Sequence, residues 1–491
     1  VGAAAASQGA IDDLVFERLQ RLNLRPAPLC SDSVFVRRVF LDVTGTLPTA
    51  DEAKAFIEDP SPDKRCALID RLLERPEFAH YWAMKWGDVL RVKSEFPINL
   101  WPNGAQAYHR WIYESIRDNK RYDQFARELL TASGSNFRVP PVNFFRAVQE
   151  KSPAGIAQAA ALTFLGARTD KWPAEKLSGL SAYFWQVKYK PTGEWKEEII
   201  YFDPSGASTR PAAVLPDGSS PAIRPGQDPR EVFAGWLTSP SNPWFAKVAA
   251  NRVWAWLLGR GIIHEVDDFR PDNAPSHSDL LALLEREFVA SKYDLKRLYR
   301  LILNSSTYQL SSLAAGDAQQ SEHAFACYRL RRLEAEVLMD ALCQVTGTSE
   351  KYSSAIPEPF TFIPESYRTI MLPDGSITSA ALDMFGRPPR DTGLDSERNN
   401  RPSPDQRLYL LNASHVQRKL EQGRGFQPLL QSKTAPRDAI RRIYLTLLSR
   451  FPTDAELRTA EGHVKASAKQ RDGLVDVAWA LINSAEFLYR H

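Results

Sequence analysis

The chain predicts a mainly α-helical protein, a multi-helix globular body with one small β-hairpin near residues 181–203 and long ordered loops. Three observations carry this expectation. Apolar residues recur at helical spacing through most of the sequence, as in "IDDLVFERLQRLNL", "SPDKRCALIDRLLER" and "EFAHYWAMKWGDVLRV". One stretch, "LSAYFWQVKYKPTGEWKEEIIYFD", instead gathers aromatic and β-branched residues around a Pro-Thr-Gly turn, the pattern of paired strands. The 34 prolines and 12 tryptophans suit long ordered loops and some exposed aromatic surface.

The elements follow in order. The first helix is expected to open at Asp12 or Asp13, whose carboxylate would cap it. "SDSVFVRRVFLDVTG" reads as the next helix. Thr49 followed by Glu52 makes a capping box for "TADEAKAFIED". Ser61 with Pro62 at the first helical position starts another helix. "GAQAYHRWIYESIRDN", "RYDQFARELLTASG" and the apolar "GIAQAAALTFLGAR" are helical, the last ending at Arg168. These residues form an N-terminal helical domain, 1–180. The hairpin and a Pro/Gly/Ser-rich linker occupy 181–228. A second helical domain, 229–491, holds "NPWFAKVAANRVWAWLLG", "SHSDLLALLEREFVAS" and three closing helices around a long Pro-rich loop at 351–405. Ordered loops of that length usually carry function. An internal echo links the ends. "RRVFLDVTGTLPTADE" from Arg37 and "RRIYLTLLSRFPTDAE" from Arg441 share Arg-Arg-apolar-aromatic-Leu and a Pro-Thr-x-x-Glu at the same offset. The two halves are expected to pack as one unit.

Composition excludes several classes. Lys plus Arg number 62 and Asp plus Glu 59, so net charge favours neither nucleic acid nor an anionic membrane. No run of 18 apolar residues occurs, so no transmembrane segment is expected. The start, "VGAAAASQGAIDD", lacks the basic and apolar regions of an intact signal peptide and is compatible with the remainder after cleavage. Cys30, Cys66, Cys327 and Cys343 form no C-x-x-C pair. Two local disulfides, Cys30 with Cys66 and Cys327 with Cys343, stand against four separate thiols.

No G-x-S-x-G, H-E-x-x-H, Walker A, G-x-G-x-x-G or EF-hand pattern occurs. The polar clusters that remain are these. "GRGIIHEVDDFRPDNAPSH" places His264, Asp267, Asp268 and His277 close in sequence, an oxygen and imidazole set that could take calcium or a transition metal. The bland alternative has the aspartates accepting loop N–H groups and Ser276 capping the next helix. "DMFGRPPRDTGLDSERNNRP" offers Arg387, Arg390, Glu397, Arg398 and Arg401, forks for carboxylate or sulfate groups, or a loop tied by internal ion pairs. In "RLRRLEAEVLMDAL", Arg332, Glu336 and Asp340 are four apart and share a helix face as a surface ladder, or Arg331, Glu334 and Asp340 point inward. "WGDVLR" and "YHRW" add Asp88, Arg91, His109 and Trp111 as ligand-binding candidates.

Taken together, "RRVFLDVTGTLPTADEAKAF", "YDQFARELLTASGS", "WLTSPSNPWFAKVAANRVWAWLLGRGI", "STYQLSS" and "LLSRFPTDAEL" resemble a two-domain family abundant in planctomycetes and verrucomicrobia. Its parts are the planctomycete cytochrome-c-type domain and its companion, domains of unknown function fifteen-forty-nine and fifteen-fifty-three. The resemblance implies an exported protein of the periplasm or cell surface whose biochemical activity is not established. In relatives the "FLG-apolar-R" helix end leads to a C-x-x-C-H segment. Here "FLGAR" runs straight into "TDKWPAEKLSGLSAYFW", and "DTGLDSER" stands where many relatives have "ETACECER". Covalent haem needs both thiols and the axial histidine. No cofactor is therefore expected and covalent haem c is not expected here, with calcium at the His264–His277 cluster left as a possibility. The two altered loops, one holding Thr169 and the other Gly393, are expected to lie together in space.

The reading this supports is a haem-less structural or binding subunit of an envelope assembly, with other envelope proteins or anionic polysaccharide as partners. A carbohydrate-active enzyme using Asp267, Asp268 or Glu397 is the alternative. Electron transfer with a non-covalent cofactor is the third.

Overall fold

The structure, a computed structural model, describes residues 5–430 and 435–491. Helices dominate the described residues, with short strands in two small antiparallel sheets. One continuous apolar core runs from Ile11 to Phe487 and draws on both halves. Helix Phe245–Leu258 of the second half packs against Pro153–Leu165 of the first, and Leu295–Leu303 packs against Lys64–Leu73.

The echo is a structural repeat. Helix Asp32–Thr44 ends at Gly45 in the left-handed region (φ 61°), and helix Pro436–Leu448 ends at Ser449 (φ 56°). Each is followed by a complete capping box, Thr49 with Glu52 and Thr453 with Glu456. The repeats touch: Ala50, Ala53 and Leu445 share a small cluster, and Arg37 Nη1 donates to Leu447 O at 2.7 Å.

Several expected starts move. The first helix, Ala10–Arg21, begins after Gly9; Asp12 instead accepts from the backbone N–H of Ser306 and Thr307, both at 2.9 Å. Helix Lys64–Leu73 begins after Asp63, so Pro62 precedes it. The hairpin is shorter than expected: strands Val187–Pro191 and Glu198–Phe202 pair, and Glu198–Phe202 also takes Gly134–Ser135 on its other side. Residues 181–186 are not strand. Tyr183 and Phe184 sit in a 3₁₀ turn because their rings pack on Phe233, at 5.9 and 5.4 Å between centroids. The loop 351–405 is irregular apart from short helical turns, and it threads across the first half.

All four cysteines are free thiols, so neither local pairing is formed. Cys327 packs with Ala27 and Leu310, whereas Cys343 Sγ accepts from Lys419 Nζ at 3.4 Å in a separate place. No helix among the described residues is long and apolar enough to cross a membrane.

Candidate ligand-binding site

The Arg-rich loop folds inward. Arg390 is fully buried and donates from Nε to Asp88 Oδ1 at 2.8 Å. Arg398 bridges two helices: it reaches Asp88 Oδ2 at 2.7 Å and the Glu336 carboxylate at 2.6 and 3.1 Å. Arg387 stands 3.6 Å from Glu336 and donates to Asp374 O at 3.0 Å. Burial alone would raise the carboxyls of Asp88 and Glu336, but the guanidiniums beside them outweigh it and hold both below their ordinary values. Glu397 accepts from the backbone N–H groups of Asp391, Thr392 and Gly393 at 2.9–3.3 Å, which ties the turn down. Arg401, by contrast, is exposed. Arg387, Arg390 and Arg398 thus form an inward-facing strap bound to Asp88 and Glu336 and present no open fork to a ligand.

The strap continues into a network that local sequence did not show. Lys85 donates to Glu334 at 2.6 Å, and Arg490 joins Glu334 to Asp42, the latter at 3.0 Å. Arg331, Tyr308 and Tyr328 complete the shell of Asp42 at 3.1, 2.9 and 2.8 Å. Glu334 is held well below the usual carboxylate range because Arg490 and Lys85 overcome its burial. The hint in the sequence was the inward reading of Arg331 and Glu334; nothing there connected them to Asp42, Lys85 or Arg490. The expected surface ladder is also absent: Arg332, Glu336 and Asp340 are all buried, and Arg332 lies before the helix, bonded to Gln406.

His109 and Trp111 part from this group. Burial, then Arg390, pushes the His109 imidazole down to about 3, and its Nε2 has no partner. Trp111 faces the other way, stacked on Phe125 at 4.7 Å with its N–H to Glu128.

The metal candidates are likewise dispersed. Asp267 is buried, 3.3 Å from Arg252 Nη2, and accepts from Asp395 N at 2.6 Å. Asp268 pairs with Arg270 at 3.0 Å. His277, rather than Ser276, caps helix Ser278–Ala290: Nδ1 accepts from Leu280 N and Nε2 lies 3.0 Å from Leu14 O. His264 is exposed, apart from these. Among the described residues no three His, Cys, Asp or Glu side chains converge as a metal-ligating group.

The open spaces lie on either side of residues 167–173. Helix Pro153–Leu165 stops at Gly166, at φ 58°, a position where a Cβ would stand 2.8 Å from the Phe269 ring. Arg252 from the second half caps that helix end, donating to Thr163 O at 2.9 Å and Leu162 O at 3.4 Å. Phe269 N donates to Gly166 O at 2.8 Å, so the 266–270 loop is pinned to the same end. Arg168 then pairs with Glu265 at 2.6 Å.

One cleft, about 720 Å³, is lined by Trp172, Trp244 and Phe269, all part-exposed, with Arg168, Lys171, Lys176 and Arg270 against Asp268 and Asp272. Both aspartates are held by Arg270, whereas neither Lys171 nor Lys176 has a carboxylate partner among the described residues. Lys176 Nζ lies 4.5 Å over the Trp172 ring. A second cavity, about 600 Å³, is lined by Thr169 and Asp170 on one side and by Asp391, Thr392 and Leu394 on the other. The "ARTD" and "DTGL" loops therefore face one another across a single space.

Comparison with known proteins gives the family and nothing finer. No curated protein and no solved structure matches the chain. Residues 10–175 match the family described as PSCyt2, protein of unknown function (DUF1549). Residues 229–464 match that described as PSD1, protein of unknown function (DUF1553). With both domains present in this order, the chain belongs to the PSCyt2–PSD1 two-domain family.

Proposed function

We propose that this chain is an exported, haem-less binding subunit of a cell-envelope assembly, and that it holds acidic polysaccharide in the cleft at Trp172. The observation that carries this is the lining of that cleft. Three part-exposed aromatic rings stand beside four cationic side chains and two carboxylates, and the carboxylates are already paired. Aromatic faces take the apolar faces of sugar rings, and unpaired ammonium groups take uronate or sulfate. The volume, about 720 Å³, lies within the ordinary range for ligand sites.

The enzymatic alternative has less support. A glycosidase needs two carboxyl groups facing across the bond to be cut, roughly 5–9.5 Å apart. Asp267 is buried on Arg252, Asp268 is held by Arg270, and Glu397 is occupied by three backbone N–H groups. Asp268 and Asp272, the carboxylates in the cleft, share one arginine on one wall.

The test is titration calorimetry with uronate-bearing and sulfated oligosaccharides beside neutral ones. Binding should favour the acidic series and weaken with salt. Trp172→Ala should lower affinity roughly tenfold or more, as loss of a stacking aromatic does. Lys171→Ala with Lys176→Ala should flatten the salt dependence. Equal binding of neutral and acidic chains, or an unchanged affinity in Trp172→Ala, would refute the reading.

A further inference from the structure

The second cavity carries an inference independent of the glycan cleft, with which it shares only Ala167 and Arg168. Its floor is apolar, formed by Val148, Ala159, Leu162 and Leu394, and its lining also holds Arg168 and three carboxylates, Glu150, Asp170 and Asp391, the last paired with Lys93. Arg91 lines its inner wall. This arginine is 3% exposed and sits at φ 56°, a strained setting for a long side chain. Nε donates to Ala147 O at 2.5 Å and Nη1 to Val89 O at 3.2 Å, while the guanidinium lies 5.9 Å from the Phe144 ring centre.

What Arg91 lacks is a counter-ion. Arg252, Arg387, Arg390, Arg398 and Arg490 each have a carboxylate within 4.0 Å. Arg91 has none among the described residues. Glu397 is near enough to influence it, but spends its oxygens on the 391–393 backbone. Arg91 Nη2 is buried without any acceptor. Arg37 and Arg38 also lack carboxylates, but neither borders this cavity. Burial pulls the Arg91 guanidinium down to about 10, the direction expected when a cation is desolvated without compensation. The Arg91 side chain lies against the 391–394 turn. Gly393, at φ 78°, approaches so near that a Cβ there would stand 2.8 Å from Arg91 Nη1.

We propose that this cavity binds a small organic carboxylate, whose acid group supplies the counter-ion Arg91 lacks and whose apolar body lies along Ala159 and Leu162. Because Nη2 is shut off from solvent, capture of the acid and a shift of the 391–394 turn go together. Binding therefore changes amide exchange at Thr392, Gly393 and Leu394, which a ligand confined to the outer surface would leave alone.

The test titrates the full chain with sodium benzoate, sodium glucuronate and sodium sulfate, and follows amide hydrogen exchange with benzoate present. The expected result is saturable carboxylate binding, tighter than sulfate, with altered exchange at 392–394. Gln158→Trp should abolish it. Gln158 is exposed, lines the cavity and has no hydrogen-bond partner among the described residues, so this variant fills the space without disturbing Arg91 or the fold. Arg91→Lys should weaken binding by about tenfold, one charge-assisted hydrogen bond's worth. Trp172→Ala should change nothing here, which separates this site from the glycan cleft. Absence of binding by any probe overturns the proposal, as does unaltered benzoate binding in Gln158→Trp. Sulfate binding as tightly as benzoate overturns the organic part and leaves a plain anion site.

Discussion

Replacing Arg398 with Met should be among the most damaging single changes in the chain. Arg398 makes three hydrogen bonds to two carboxylates that sit inside the protein. After the change Asp88 keeps Arg390 at 2.8 Å, but Glu336, whose side chain is 1% exposed, keeps only Arg387 at 3.6 Å. Stranding one partner of a buried pair costs about 3–5 kcal/mol, a large share of the roughly 5–15 kcal/mol that holds a protein folded. Arg442→Ala removes an ion pair with Asp51 that is mostly in water, and should cost less than about 1 kcal/mol. The assay is the denaturant midpoint, followed by tryptophan fluorescence, for both variants. The pH dependence adds a second readout. In the native chain the carboxyls of Asp88 and Glu336 lie below their unfolded values, so their contribution is complete above the ordinary carboxylate pKa. It fades as pH falls through the depressed folded values. In Arg398→Met burial raises the stranded carboxyl of Glu336, so the penalty is full at neutral pH and shrinks toward about pH 4 as that group is protonated. Adding Glu336→Leu should recover part of the loss, because no stranded charge remains. Were Arg398→Met no worse than Arg442→Ala, or equally harmful at pH 7 and pH 4, the account of the strap would be wrong.

Two further outcomes follow from the same structure. With four free thiols and only Cys66 exposed, a thiol reagent should titrate one group rapidly in the native protein and four after denaturation; two after denaturation would mean a disulfide had formed. The His109 imidazole is held neutral down to about pH 3 by burial and by Arg390, so its proton signals should not shift between pH 7 and pH 4.5. Since its folded pKa is depressed, His109 has no pH-dependent effect on stability above the unfolded value near 6.5, and it destabilises the fold progressively as pH falls from there toward 3, where the unfolded chain takes up a proton the fold does not.

What the sequence could and could not show divides by range. The capping boxes at Thr49 and Thr453 were readable because donor and acceptor lie three residues apart. That the Arg387–Arg398 loop is tied by ion pairs was one of two open readings. Its partners, Asp88 and Glu336, come from distant helices that no local pattern connects to it. The His264–His277 stretch looked like a ligand set for the same reason in reverse. Each residue's true partner is remote: Leu14 O for His277, Arg252 and Asp395 N for Asp267. Residues 181–186 read as strand because aromatic content is shared by strands and by cores, and only the contact with Phe233 decides. That the "ARTD" and "DTGL" loops line one cavity matches the expectation that they lie together, which came from the resemblance and not from the residues' own chemistry.

The two family domains behave as two matches in sequence and as one body in space, and this can be tested by cutting between them. Asp42 is fully buried, and its partners Tyr308, Tyr328, Arg331 and Arg490 all come from the second half. Arg37 and Arg38 donate to Leu447 O, Phe487 O, Tyr308 O and Leu310 O, again across the divide. Arg252 in turn caps a helix of the first half at Thr163 O. A fragment ending at residue 228 would therefore open to water the apolar face it shares with the second half, and would leave Asp42, Arg37 and Arg38 without the partners that order them. It should be expanded and should bind hydrophobic dye, and residues 229–491 alone should do the same. Co-expression of the two fragments should restore cooperative unfolding, because the shared core and the buried ion pairs re-form without a peptide link. A first-half fragment that unfolds cooperatively on its own would show that the charges crossing the divide are dispensable.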